Sequence, residues 1–293
     1  MRKPIIISIT NHKGGVGKTT LTVMLGELML QYFDRILLID FDAQANLSRW
    51  LCRYTERVAA KITDLVKIGM TLDLRNTQQA KIAYLDAKIR EATYSIFREK
   101  KEYSVITSSL DLDKLKVQLS TDTDFVRYKI RDLIRYVSND YELVIIDTPP
   151  STELLTSTAI GASDYIIIPI QLEPNSVQGA VNIIEGVIPG VKTYLNPDVQ
   201  LLGIVVNMHQ SAETQNQIEA ELREYLNDKV FETKISRSVR VGELSALGRS
   251  APKPTKKSEK ALGELQALTV EIYRRLIEHE NILTQQNKKA EQL

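Results

Sequence analysis

The chain has 293 residues, 43% hydrophobic and 26% charged, an ordinary balance for a soluble globular protein of one large α/β domain or two small ones. Its 38 basic and 37 acidic residues leave a net charge of +1, so any nucleic-acid site must be a local patch. The single cysteine, Cys52, excludes an internal disulfide and a multi-cysteine zinc or iron–sulfur site within one chain.

Met1-Arg2-Lys3-Pro4 leads straight into a strand-like run with no small-residue cleavage site after it, so a secreted product is not expected. No apolar run reaches the roughly 18 residues of a membrane span. The first strand is expected over Ile5–Thr10 and the first helix over Thr19–Phe33. Between them lies Lys13-Gly14-Gly15-Val16-Gly17-Lys18-Thr19-Thr20. A strand, a glycine-rich turn and a helix start make a phosphate-binding loop. Glycines let backbone N–H groups converge on an anion, and the helix N-terminus adds unpaired donors. Lys18 supplies charge for the β- and γ-phosphates, and the Thr19 hydroxyl is a ligand for Mg²⁺. The standard pattern G-x-x-x-x-G-K-[ST] places a glycine where His12 stands, so this loop is a variant with an added lysine, Lys13.

Further strands are expected at Ile36–Asp40, Tyr103–Thr107, Leu143–Asp147, Tyr165–Pro169 and Leu201–Asn207, with a weaker last strand at Val230–Ile235. Helical patterns occupy Ile62–Ile68, Ala80–Lys100, Asp124–Ser138, Ser176–Leu195, Glu213–Asn227 and Lys260–His279. Runs of Ile, Val and Leu on both faces suit strands covered on both sides. The alternation predicts a doubly wound, mostly parallel sheet with helices on both faces, a P-loop NTPase fold. One domain is expected over 1–280, elaborated at 52–100, with a polar tail at 281–293 that frays after Gln285.

Two of these strands end in carboxylates: Leu37-Leu38-Ile39-Asp40-Phe41-Asp42 and Val144-Ile145-Ile146-Asp147-Thr148-Pro149-Pro150. In a parallel sheet such tips lie beside the phosphate loop. Asp147 is placed to hold a metal-bound water; Asp42 is placed to hold another or to orient the attacking water. Asp40 reads instead as a support that fixes loop geometry. For each of them, helix capping or turn formation is the plainer alternative.

These motifs resemble the ParA-type partition ATPases of the deviant Walker A family. Lys13 to Thr20 carries the family's signature lysine, and Leu37 to Asn46 is similar to its LLIDxDPQxN pattern, with Ala43 where proline is usual. Val144 to Ser151, Asp164 to Pro169 and Val230 to Arg240 extend the likeness across most of residues 3–250. The resemblance implies an ATPase that forms ADP and phosphate, uses ATP and Mg²⁺, and pairs with a second copy around the nucleotide. It implies non-specific DNA binding, and release on hydrolysis stimulated by a ParB-like partner. It implies a cytoplasmic protein that is nucleoid-associated when ATP-bound, without the N-terminal helix-turn-helix domain of long members.

Carried over by motif, Lys13 reaches the partner subunit's phosphates, Asn207 contacts adenine and Glu173 approaches the partner's ribose. Arg237 and Arg240 match arginines of the family's RNVR-like segment. They belong to a basic stretch with Lys234, Arg249, Lys253, Lys256 and Lys257 that holds one acid, Glu243. Such a stretch binds phosphates by counterion release, or is simply a solvated loop. A MinD-like membrane-associated ATPase and a metabolic enzyme of the same fold are the rival readings. The tail from Asn281 offers only Ile282, Leu283 and Leu293, a poor membrane anchor.

Overall fold

The computed structural model describes residues 3–52, 55, 58–74, 78–98, 100–118, 123–151, 154–238 and 259–290. Seven strands form one sheet: β1 Ile5–Ile9, β2 Arg35–Asp40, β3 Thr93–Arg98, β4 Lys101–Ile106, β5 Leu143–Asp147, β6 Tyr165–Ile170 and β7 Gln200–Val206. Their order is β3-β4-β2-β5-β1-β6-β7, and all neighbours run parallel except the β3–β4 pair. The expected doubly wound α/β fold is the one observed.

Burial on both faces explains the unbroken apolar runs. Ile5, Ile7 and Ile9 enter one core cluster with α1 (Lys18–Leu28), α2 (Asn46–Leu51) and the long α11 (Glu259–Ala290). Ile6, one residue out of phase, enters another with α3 (Ile62–Thr71), α5 (Asp111–Gln118), α6 (Thr123–Ser138) and α7 (Leu154–Ala162). A third cluster joins β6 and β7 to α8 (Pro174–Asn182), α9 (Ile188–Tyr194) and α10 (Glu213–Leu226). The period-2 alternation of Cβ directions makes such two-sided packing possible. Tyr32, in the turn after α1, stacks on Tyr273 of α11 with ring centroids 3.8 Å apart, which ties that helix to the first face.

Four expectations are corrected. The helix read over Ala80–Lys100 stops early: α4 is Gln79–Ala92, and the chain then turns into β3, an antiparallel partner of β4. Helix-forming neighbours mask an edge strand whose exposed Tyr94 and Phe97 give it no clean apolar alternation. Val230–Ile235 makes only isolated bridges. Its N–H groups at Glu232 and Thr233 go to the Glu271 carboxylate (2.8 and 3.0 Å), so they are not available to a ladder. The helix read over Ser176–Leu195 contains a π-helical turn, Ile183–Val187. Pro189 follows that turn, lacks an N–H and crowds the preceding carbonyls, which widens the helix there. Finally, the helix read over Lys260–His279 is longer: α11 runs from Glu259 to Ala290, through Gln and Lys residues that are good helix formers.

Gly203 in β7 leaves no room for a side chain. An added Cβ would meet Phe231 Cε2 at 2.6 Å, Arg275 Nη1 at 2.9 Å and the backbone oxygen of Lys229 at 2.9 Å. Gly203→Ala is therefore expected to destabilise the fold by about 1–3 kcal/mol, seen as a lower urea midpoint at unchanged m-value. An unchanged midpoint would contradict this packing.

Candidate nucleotide site

The register of the sheet brings the site together. Asp147 pairs with Ile9 on one side and with Asp40 on the other, so the ends of β1, β2 and β5 lie at one edge. The loop after β1 turns through Gly15 (φ 79°) and Gly17 (φ 89°), left-handed backbone that glycine adopts without cost. Around Gly14 and Gly15 a Cβ would meet nothing within 4 Å, so the loop's rim is open.

Asn11 organises the loop from within. Its Nδ2 donates to the Pro169 oxygen at 2.7 Å, and its Oδ1 accepts the N–H of Lys13 at 2.9 Å. Gly179 of α8 packs against that Oδ1, which would stand 2.8 Å from a Cβ there. Sequence reasoning missed Asn11; its place between strand and glycines, where an Asx turn is favoured, was the available signal.

The two loop lysines face different surroundings. Lys18 is buried, and its Nζ donates to the carbonyl oxygens of Asn11 and Lys13, each at 3.1 Å. Burial holds its pKa below the usual lysine value, while the negative fields of Asp147 and Asp42 oppose that shift. Lys13 is more exposed, and its Nζ is ion-paired with Glu173, the residue that precedes α8.

At the strand tips three carboxylates have distinct roles. Asp40 is fully buried; its Oδ2 accepts both the N–H (2.8 Å) and the hydroxyl (2.6 Å) of Ser48, and its Oδ1 accepts the N–H of Asp42 (3.3 Å). It fixes the β2–α2 connection. Burial pushes its pKa up to about 7, against the pull of the Ser48 bonds. Asp42 Oδ1 accepts the N–H of Gln44 at 2.9 Å, a turn-forming contact. Asp147 Oδ2 accepts the hydroxyl of Thr19 at 2.6 Å. Burial, then the charge of Asp40, raises the Asp147 pKa well above the carboxylate range.

Asp147 Oδ1 is buried with no hydrogen-bond partner among the described residues. A buried carboxylate with a spare oxygen, bonded through its other oxygen to a hydroxyl at a phosphate loop, fits Mg²⁺. Among the described residues no cluster of three or more His, Cys, Asp and Glu forms an all-protein metal cage. Mg²⁺ bound there would neutralise phosphate charge, with Thr19 as a ligand and Asp147 behind it.

Asn207 follows β7 and lies against the same loop. Its Nδ2 donates to the Val16 oxygen at 2.8 Å, and it lies so close to Gly17 that a Cβ would be 2.3 Å away. The predicted Lys13, Gly14, Gly15, Val16, Gly17, Lys18, Thr19, Thr20, Asp42, Asp147, Glu173 and Asn207 thus come from strand ends, loops and the first turn of α1 on one sheet edge. Arg237 lies further along, its N–H bonded to the His209 oxygen at 3.1 Å. Lys234 is paired with Glu219 at 2.8 Å, which weakens its claim as a phosphate contact. The expectations for Arg240, Arg249, Lys253, Lys256 and Lys257 lie outside the described residues.

Lys18→Ala is expected to remove measurable nucleotide binding in a fluorescent-ATP titration, because no other loop side chain brings a buried cation to the phosphates. Tight binding by that variant would refute the assignment of the loop.

Comparison with known proteins agrees with this geometry. The family model described as an AAA domain matches residues 4–201. The chromosome partitioning protein ParA of Myxococcus xanthus is 32% identical over 83% of this chain and 79% of its own length. ParA of Caulobacter vibrioides is 30% identical over 83% and 85%. Among solved structures, an ATP complex of a McdA variant from Cyanothece superposes with a TM-score of 0.75 at 20% identity, covering 94% of this chain and 97% of that one. The fold, the variant phosphate loop and these relatives place the chain in the ParA/MinD family of deviant Walker A P-loop ATPases, which are ATP-dependent positioning and partition proteins.

Proposed function

We infer that this ATPase pairs with a second copy around ATP, binds DNA without sequence preference as the pair, and lets go when a ParB-like partner stimulates hydrolysis. The observation that carries the reading is the division of labour between the loop lysines. Lys18 Nζ turns inward to the carbonyls of its own loop, while Lys13 Nζ turns to Glu173 at the start of α8. A lysine at an open, glycine-lined rim is positioned for another subunit's phosphates, as an arginine finger supplied in trans would be. An exposed ion pair such as Lys13–Glu173 is worth no more than about 1 kcal/mol, so it yields readily to a nucleotide's phosphates.

Hydrolysis follows from positioning and charge. Lys18 neutralises the phosphates of its own site, Lys13 adds charge from across the interface, and Asp42 orients the attacking water. The partition role draws on the ParA relatives, whose names speak of chromosome partitioning. Arg237 and the basic residues after it supply the phosphate contacts. Pairing doubles that patch and so raises avidity without base readout. Among the described residues no helix is long and apolar enough to cross a membrane.

Asp42→Ala is expected to slow turnover by about a hundredfold or more while sparing ATP binding; a steady-state phosphate-release assay beside a nucleotide titration checks both. Unchanged turnover would remove Asp42 from catalysis. In a retardation assay with arbitrary duplex DNA, ATP should produce binding that salt abolishes. Replacing Arg237 and Arg240 together with Glu should weaken it about tenfold or more and flatten its salt dependence by about one unit of slope per lost contact. Intact affinity in that variant would place the DNA surface elsewhere, and no ATP-dependent retardation in the wild type would overturn the DNA reading.

A further inference from the structure

The turn after β7 has a feature that nucleotide chemistry does not use. Met208 has φ 53°, left-handed backbone that residues with a Cβ rarely adopt. Strain of this kind persists where the surroundings hold it, and it gathers at switch regions.

Both neighbours of Met208 are tied down, to different places. Before it, Asn207 donates to the Val16 oxygen at 2.8 Å and accepts the Met208 N–H at 3.0 Å. Beside it, Met208 Sδ lies 3.0 Å from Gln171 Nε2, which also donates to the Gly15 oxygen at 3.0 Å. After it, His209 pairs in parallel with Ser236. The His209 N–H donates to the Ile235 oxygen at 2.8 Å, and the Arg237 N–H donates to the His209 oxygen at 3.1 Å. Glu264 of α11 holds Ser236 from the far side, accepting its N–H at 2.7 Å and its hydroxyl at 2.8 Å. Residues 207–209 therefore grip the phosphate loop at one end and the backbone of Arg237 at the other.

We propose that Met208, seated by Gln171, is a positioning residue that carries the state of the phosphate loop to the backbone of residues 235–237. Only the last consequence, presentation of the basic stretch that opens at Arg237 to a polyanion, rests on the DNA reading above. When phosphate enters the loop, Lys18 Nζ must leave the carbonyls of Asn11 and Lys13, and the loop N–H groups must turn toward the anion. Each peptide is planar, so a carbonyl turns with the N–H of its own unit. The Gly15 and Val16 carbonyls are the acceptors of Gln171 and Asn207. A rearranged loop thus changes the bonds that hold Met208 in its strained state. The hydrogen-bonded rungs from His209 to Arg237 then move as a unit, the discrete element that coupling between two sites requires.

The test uses the full chain, its Gln171→Ala and Met208→Gly variants, and a non-hydrolysable ATP analogue with Mg²⁺ at saturation, checked for each variant by titration. Amide hydrogen exchange at residues 235–237 is followed with and without the analogue, and short-duplex affinity is measured in parallel. The wild type should change its exchange rate there by about fivefold or more on adding nucleotide, a typical size for coupling between sites. Both variants should lose most of that response. If short duplexes bind, the analogue's effect on their affinity should shrink in the variants as well. A nucleotide-insensitive 235–237 segment in the wild type, or a full response in both variants, would overturn the proposal. A response that fades in the variants while DNA never binds would support the link and sink the DNA reading alone.

Discussion

The site depends on one buried ammonium held by its own loop's carbonyls, within the field of buried carboxylates. Lys18 is enclosed by its own loop's carbonyls, with Asp147 and Asp42 close enough for their fields to reach it. Asp40 adds a third buried acid on the neighbouring strand tip, paired in register with Asp147. Burial pushes the Asp40 pKa up to about 7 and raises that of Asp147 well above the carboxylate range, and the neighbouring charge of Asp40 adds to the rise at Asp147. Thr19 and Asp147 would hold a Mg²⁺ whose charge would offset these acids, and Lys18 with the helix N-terminus would attract phosphate.

The rest of the fold keeps that arrangement in place. Parallel pairing of β1, β2 and β5 fixes the acids beside the loop, and burial of the sheet on both faces leaves the strands no freedom to slip register. Asn11 and Asn207 brace the loop from two sides, and Gly17 and Gly179 allow these close approaches. Ser48 holds Asp40, and its hydroxyl also accepts the N–H of Ser108 at 2.8 Å, which ties the β2 tip to the segment after β4. The sheet edge is thus held by packing and hydrogen bonds around Lys18 and the acids, while Lys13 and Glu173 remain more exposed at its rim.

Much of this was legible in the sequence because the physics leaves a pattern there. Strands buried on both faces show as runs such as Ile5–Ile9 and Leu143–Asp147, and a phosphate loop requires glycines and a lysine at fixed offsets. Edge strand β3 left no such pattern, because four of its six residues are exposed and its flanks favour helix. Val230–Ile235 has a strand's apolar residues, but Glu271 of α11 takes the N–H groups of Glu232 and Thr233 in its middle, a tertiary choice that no local window contains. Asn11, Ser48 and Gln171 are single polar residues whose roles arise only when distant strands meet. The left-handed turn at Met208 had no signal, since methionine is not a residue that marks such a turn.

The proposed pairing gives the two lysines of one loop separate duties, Lys18 for its own nucleotide and Lys13 for the partner's. Sedimentation velocity of wild-type and Lys13→Ala protein, each saturated with Mg²⁺ and a non-hydrolysable ATP analogue, addresses it most directly. The wild type should sediment as a dimer and the variant as a nucleotide-loaded monomer. Equal dimerisation of the two, or a wild type that stays monomeric with nucleotide bound, would rule out that division between the lysines.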